Sequence, residues 1–502
     1  MHNTDVILQI LDSEVSYYTD IDNPLSVYVE YKGNNGALNF YPVESPFFQS
    51  FLAFRYLALT NEATTPDFSP YLNLNIQTER FQQNHPVKIR KRLAGNLHQG
   101  ITYFLANNKW QSVQITAKNW SIKNSVQEKF LKSPDTDPQV TPVSGGDFLE
   151  LLKPYVNLDS DSFLLFAVYL LQCFSERDHY AAILSSSKGT GKSTLTKIIR
   201  SIVDPSKTGV SLMPNNERDL KTLLAASYLV CFDNTSHVPS SFSDILCGAV
   251  TGVKAPTRTL YTTCSQTILD LHNAIVLNGI DAVPKKSDLA ERSLLFQLQP
   301  IRINKRKTYS DLIEDFERDR PHILGAAFDI LSSAMSLLPT ITSKQLSRMA
   351  DAHKEMLAIA LALGISESEF QRIIKQNQQL LENEYAQDNH LVEIICHFME
   401  GQNKVSGKSS DLYQKILNSI VGDYRDFPNS PSALTKKLNQ ESDALKASGF
   451  VIEREKKADA NILTIKRIPS SFIIPCSEPQ RISFSGVLMV FPSLLIGTTH
   501  SS

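Results

Sequence analysis

A charge excess of either sign is missing from this chain. Its 50 Lys and Arg stand against 52 Asp and Glu, a formal net charge of -2, so no global basic field marks it for nucleic acid and any such surface must be local. Cysteine is sparse. The six residues (Cys173, Cys231, Cys247, Cys264, Cys396 and Cys476) form no C-x-x-C pair. This argues against a disulfide or zinc framework and predicts reduced thiols in a cytoplasmic protein. The opening Met1-His2-Asn3-Thr4-Asp5 lacks a basic stretch followed by an apolar run, so no signal peptide is expected. Long apolar runs are lacking too. Gly486 to Gly497 is too short to span a bilayer and carries Ser and Pro, so no membrane partner is expected. What is present, 42% hydrophobic and 20% charged residues, is the composition of a globular chain of roughly two to four domains.

The strongest local signal runs from Tyr180 to Arg200. It reads as a buried strand, a small-residue loop and a helix. The core, Lys188-Gly189-Thr190-Gly191-Lys192-Ser193-Thr194, has the form of a phosphate-binding P-loop, with Ser186 where G-x-x-x-x-G-K-[ST] has its first glycine. Gly189 and Gly191 allow backbone N–H groups to turn onto an anion, and the helix starting near Lys192 aims its positive end at the same place. Ser186, Ser187 and Lys188 to Thr194 are therefore the expected nucleotide-binding residues. Lys192 is expected to reach the β- and γ-phosphates of ATP, and Ser193 to hold Mg²⁺. Ser186 is tolerable if its φ is negative.

Downstream, Ser227 to Asn234 is an apolar strand ending in Asp233, the form of a Walker B element, with Asp233 opposite Ser193 on the metal. Many ATPases follow this Asp with a Glu. Here Asn234 can orient water but takes no proton. A third strand, His272 to Ile280, ends in Asn278, which suits a water-holding role or an Asn-Gly turn. Ser287 to Phe296 reads as a short helix running into a strand. Arg292 sits where a cationic finger could reach a neighbouring subunit's phosphate, or where a helix-end arginine makes a salt bridge.

Taken in order, these elements resemble the superfamily 3 helicase type of AAA+ ATPase, and more narrowly the ATPase half of phage, plasmid and poxvirus-type primase-helicases. The residues that carry the resemblance are Lys188 to Thr194, Leu229 to Asn234, Ile275 to Gly279 and Asp288 to Phe296. Thr251 to Tyr261 resembles the family's "TGG…R.LY" segment, where a basic hairpin faces the central pore. By that resemblance Lys254 and Arg258 are candidate DNA contacts. The resemblance implies a ring of identical subunits, ATP and Mg²⁺ as cofactors, and single-stranded or forked DNA as partner. Ser186 and Asn234 depart from the family pattern and put turnover in question more than nucleotide binding.

The expected fold is α/β: a P-loop AAA+ type parallel sheet (147–305) with an α+β N-terminal domain of unread role (1–132), a linker (133–146), a helical region (306–395), a C-terminal winged-helix-like domain (396–468) and a tail (469–502). In the first domain, Lys88, Arg90, Lys91 and Arg92 read as a solvated strand face ahead of a nucleic-acid contact. Asp20 and Asp22 read as a turn before Asn23-Pro24 ahead of a primase metal site, so priming is expected from a separate protein. From Cys396 on, two helices and a hairpin follow the order of a winged helix and resemble the module behind phage-type primase-helicase ATPases. That places Ser430, Ser432, Thr435, Lys436 and Lys437 by the groove-facing helix and Lys456 and Lys457 on the wing. Gly407-Lys408-Ser409 reads as a turn and cap. Three functions compete: a DNA-dependent ATPase or helicase of a mobile-element replication module, an ATP-binding regulatory switch on DNA with little hydrolysis, and a small-molecule kinase. The kinase reading lacks an arginine-rich lid.

Overall fold

A helix and a strand meander open the chain: α1 (Asn3–Glu14), then β1 (Val15–Asp20), β2 (Val27–Lys32) and β3 (Leu38–Pro42), followed by α2 (Pro46–Thr60) and α3 (Ser69–Gln82). The protein is known here from a computed structural model, which describes residues 3–468 except 35, 63–66, 83–84, 187–188, 236–237, 259–265, 280–286, 302–305, 388–389, 421–426 and 458–459. A short β4 (Pro86–Val87) pairs parallel to β1. Alternation along β2 buries Val27, Val29 and Tyr31, and these pack with Ile7, Ile10, Phe48, Leu52 and Tyr56 into a core of their own. The Ser45 hydroxyl caps α2 by accepting from the Phe47 N–H, with Pro46 in the first turn.

Next come β5 (Ile89–Arg90), β6 (Leu93–Asn96), β7 (Gly100–Phe104), β8 (Ser112–Ile115), β9 (Trp120–Lys123) and β10 (Lys129–Phe130). β7 and β8 form a hairpin inside an antiparallel sheet of order β6-β7-β8-β9. Its inward residues Leu93, Tyr103, Val113 and Ile115 join the large core built by the helices that follow, not the N-terminal core. A smaller cluster joins Ala37 and Phe40 to Ala94, Phe104, Trp110 and Phe130, so this sheet packs on both sides.

The run Lys88 to Arg92 is not a solvated face. Arg92 is 1% exposed and donates to Asp204, Phe104 O, Asp137 O and Pro205 O. Lys91 donates to Leu224 O and Asp270 O. Arg90 pairs with Glu176, and Lys88 with Glu176 and Asp270. Four cations close in sequence read as surface, yet each finds an acceptor far along the chain.

Residues 133–146, expected as a linker, are anchored to the structure at some positions, while 143–146 are exposed. Gln139 donates to Tyr103 and Ile202 O, and the Val143 N–H donates to Pro321 O. A Cβ added at Gly325 would stand 1.8 Å from Val143 O, so this glycine is what lets the segment lie against its helix.

The central part comprises α4 (Phe148–Leu152), α5 (Ser160–Gln172), β11 (Ala181–Ser185), α6 (Lys192–Val203), α7 (Glu217–Ala226), β12 (Leu229–Phe232), α8 (Ser240–Thr251), β13 (Val253–Arg258), β14 (Gln266–Leu271), β15 (Ala274–Asn278), α9 (Ser287–Ala290) and β16 (Ser293–Gln297). Strands β12, β15, β11 and β16 form a parallel sheet in that order. β12 and β15 are buried along their whole length, as continuous apolar runs covered on both faces require. β13 and β14 stand apart as an antiparallel hairpin.

Helices α10 (Tyr309–Leu337), α11 (Ala350–Ala362), α12 (Glu367–Gln387) and α13 (His390–Phe398) make the helical region. Among the described residues, the α10 segment is the one helix long and apolar enough to cross a membrane, but 61% of its apolar window is buried inside the protein, as for a core helix. Then follow β17 (Lys404–Lys408), α14 (Ser409–Ser419), α15 (Pro431–Gln440), α16 (Ser442–Ala447), β18 (Phe450–Lys457) and β19 (Ala460–Arg467), with sheet order β17-β19-β18. Gly407-Lys408 thus ends a strand and is not a turn, and α15 and α16 meet at Glu441.

Candidate functional site

The site is assembled where three adjacent parallel strands end. β15 lies between β11 and β12, with Leu184 level with Asn278 and Phe232 level with Leu277. The carboxyl ends of β11, β12 and β15 therefore deliver Ser185, Asp233 and Asn278 to one edge of the sheet. After Ser185 the chain passes through the glycine-rich loop and enters α6 at Lys192.

Gly189 (φ 81) and Gly191 (φ 87) both hold the left-handed conformation that glycine adopts without strain. A Cβ on Gly189 would meet nothing within 4 Å, and one on Gly191 would meet only Ile301 Cδ1 at 3.5 Å, so conformation and not space selects glycine here. Gly191 is the N-cap of α6 and, as glycine, brings no capping side chain of its own. The Lys192 ammonium donates to Ser186 O at 2.6 Å and to Ser186 Oγ at 2.9 Å. Ser186 also contacts the buried Thr190 hydroxyl. Ser186 is not among the positive-φ residues, the condition for serine at that place. Desolvation lowers the Lys192 pKa, and the Asp233 carboxylate partly opposes that shift.

Asp233 is the hub. Its Oδ1 accepts from the Ser193 hydroxyl at 3.0 Å, from Asn278 Nδ2 at 2.5 Å and from the Asn234 N–H at 2.9 Å. Asn278 is 1% exposed, and its carbonyl accepts from the Thr235 N–H at 2.8 Å. Asn234 takes φ 53, a left-handed conformation that Asn tolerates better than most side chains, and its side chain is exposed. A hydroxyl and a carboxylate oxygen beside a cationic loop are the hard donor set that suits a divalent cation and a phosphate chain. Lys192, Ser193, Asp233, Asn234 and Asn278 are thus brought together. Ser187 and Lys188 lie outside the described residues. Thr235 was not anticipated. Its buried hydroxyl is without a hydrogen-bond partner beside Asp233, and a Thr following a strand gives no sequence signal of that kind.

Arg292 is not brought to this edge. It precedes β16, whose Ser293 is level with Ala181, the first residue of β11, so Arg292 sits at the amino end of the strands, opposite the loop. Its guanidinium contacts Cys247 Sγ and donates to Asp288 O at 3.2 Å. Lys254 lies at the base of the β13–β14 hairpin, paired with Asp22. Arg258 ends β13 beside residues outside the description. On α15, Lys436 is exposed and Lys437 half-buried. Lys456 and Lys457 pair with Asn461 and Ala460 at the tip of the β18–β19 hairpin, and their side chains lie outside the described ones. Asp20 and Asp22 form the turn: Asp20 Oδ1 accepts from the Asp22 N–H. Among the described residues no cluster of three His, Cys, Asp or Glu could hold a metal.

Residues 148–372 match the family model of the actinomycete integrative conjugative element replication protein, and residues 391–479 match the model of the C-terminal domain of the same RepA family. No curated protein matches the chain. The A form apo structure of the NrS-1 C-terminal region is similar over 92% of this chain and 99% of its own, at 13% identity and a TM-score of 0.42. A second apo structure of that region (305-718) covers 93% and 99%, at 13% identity and a TM-score of 0.39. Two models of one family match successive stretches of the chain, and they support a replication protein of an integrative conjugative element.

Proposed function

We propose that the protein is the ATP-dependent DNA motor of a mobile-element replication module, a ring-forming AAA+ ATPase of helicase type. The observation that carries this reading is the convergence of Ser193, Asp233 and Asn278 beside a loop whose two left-handed glycines and helix start face the same edge. In this reading the loop amides and Lys192 hold the phosphates of ATP, and Ser193 and Asp233 hold Mg²⁺. The metal, when bound, neutralises charge developing on the phosphates. Lys192 would exchange its Ser186 acceptors for phosphate oxygens. Asn278 holds Asp233 in place and keeps its carboxylate oriented. Asn234 offers a water an acceptor and a donor but removes no proton. Arg292, at the far end of the strands, could serve the reaction only in a neighbouring subunit's site, which is the reason to propose a ring.

The α14–α15–α16 helices with the β17-β19-β18 sheet have the element order of a winged helix. The exposed Lys436 on α15 makes that helix the proposed DNA-facing element, with Lys437, Lys456 and Lys457 beside it. Asn234 in place of an acid favours a second reading, a DNA-bound switch that binds ATP and turns it over slowly. ATP hydrolysis by the full chain, with and without single-stranded DNA and beside Lys192→Ala, separates the two. Stimulation by DNA that vanishes in the variant supports the motor. Tight ATP binding with no turnover sinks the motor and leaves the switch.

A further inference from the structure

We infer that the turn Asp20 to Asn23 in the N-terminal region is a brace that positions the β13–β14 hairpin and thereby couples DNA to the nucleotide site. The coupling half of this inference rests on the motor proposal above and on the resemblance that makes Lys254 and Arg258 of this hairpin candidate DNA contacts. The brace itself rests on geometry alone.

A two-stranded hairpin is marginal by itself in water, and among the described residues β13 and β14 pair only with each other. The outer edge of β14 is taken by one side chain from far away in sequence. Asn23 Nδ2 donates to Ile268 O at 2.9 Å, and the Ile268 N–H donates to Asn23 Oδ1 at 2.8 Å. A single amide thus satisfies both backbone groups of Ile268, as a neighbouring strand would. Ile268 stands opposite Pro256. Proline has no N–H to donate, so at this rung the backbone groups of Ile268 point away from β13 and are free for Asn23. Two rungs further toward the base, Lys254 is level with Asp270, and both are held by the N-terminal half. Lys254 pairs with the nearly buried Asp22. Asp270 pairs with Lys88 at 3.1 Å and accepts from Lys91 through its carbonyl at 3.3 Å. Lys91 also donates to Leu224 O at the end of α7. Immediately after β14, the buried Asn273 donates to Leu224 O and Ser227 O, and the chain then becomes β15, which carries Asn278 to Asp233. One continuous segment therefore joins the braced hairpin to the carboxylate hub. Asp22 and Asn23 are positioning residues. Their polar groups are engaged by the hairpin.

The test uses the full-length protein with Asn23→Ala, Asn23→Asp and Asp22→Asn. Two readouts are taken: amide hydrogen exchange at Ile268, and ATP turnover with and without single-stranded DNA. Asn23→Ala should speed exchange at Ile268 by about tenfold, the equivalent of one lost hydrogen bond of about 1.4 kcal/mol. Asn23→Asp keeps the acceptor for that N–H and should lie between wild type and Asn23→Ala. Basal turnover should stay within about twofold, while DNA stimulation falls by about fivefold or more. Unchanged exchange at Ile268 in Asn23→Ala overturns the brace, whatever the ATPase does. Faster exchange with DNA stimulation intact, or raised, overturns the coupling. A wild-type protein that hydrolyses no ATP defeats the motor proposal instead, and the exchange result still judges the brace.

Discussion

At its N-terminal end helix α6 starts from Gly191, which brings no side chain as a cap, and its first lysine donates to Ser186. At its C-terminal end the same helix finishes on Asp204, 6% exposed, whose two oxygens accept from Arg92 (2.7 Å), Arg200 (2.9 Å) and the backbone N–H groups of Tyr228 and Leu229 (3.1 Å each). An acid at a helix C-terminus is opposed by the helix dipole, and burial also pushes its pKa up. Arg200 and Arg92 outweigh both and hold the carboxyl below its usual range. The two ends show how one helix divides its work. Charge that is buried and fully partnered ties elements together, here α6 to the start of β12. Charge at the loop end, the proposed nucleotide side, is held by contacts such as Lys192 to Ser186 that a ligand could replace.

The sharpest way to break this comparison is to truncate an aspartate at each end. Asp204→Ala strands two buried guanidiniums and should cost about 3 to 5 kcal/mol of stability, read from the denaturant midpoint. Asp233→Ala should cost no more than about 1 kcal/mol while removing the proposed metal ligand. Equal losses would contradict the division.

A smaller effect is expected where backbone, not charge, joins the regions. Gly325→Ala places a methyl 1.8 Å from Val143 O, so residues 133–146 must lift off α10. The expected loss is about 1 to 3 kcal/mol, with faster proteolysis within 133–146. An unchanged melting temperature would mean that this segment is not part of the packed core.

The third effect sharpens the account of the basic run. Burial lowers Lys91 to about 8, with Asp270 opposing, and lowers Lys132 to about 8. A lysine whose folded pKa lies below its unfolded value binds fewer protons when folded. Stability should therefore rise with pH through this window. Burial raises Cys173 and Cys231 to about 12 from 9.0, which has the opposite sign above pH 9. The denaturant midpoint should climb between pH 8 and 9 and then flatten. Lys91→Met should reduce the climb. A midpoint falling steadily from pH 8 would contradict the buried placement of these lysines.

Much of the strand-end cluster was legible in the sequence, because the strands carrying Ser185, Asp233 and Asn278 are continuous apolar runs ending in polar residues. That pattern fixes which strand end faces the chemistry. The basic run was misread because burial of Arg92 depends on Asp204 and on carbonyls of Phe104, Asp137 and Pro205, partners that no local pattern displays. β17 was missed for a related reason. Lys404-Val405-Ser406-Gly407-Lys408 is half polar and becomes a strand only by pairing with β19. The position of Arg292 at the opposite end of the sheet from the loop needed the register of β11 against β16, which spacing along the chain does not contain.

The most direct test of the central claim is the melting temperature of the full chain with Mg²⁺ and ATP, for wild type, Lys192→Ala and Asp204→Ala. A ligand at 100 times its Kd adds about 2.7 kcal/mol to the folded state. Wild type should melt several degrees higher with nucleotide. Lys192→Ala should melt where wild type does without nucleotide and gain nothing from it. Asp204→Ala should melt far lower and still respond. A nucleotide response that survives in Lys192→Ala would contradict the account.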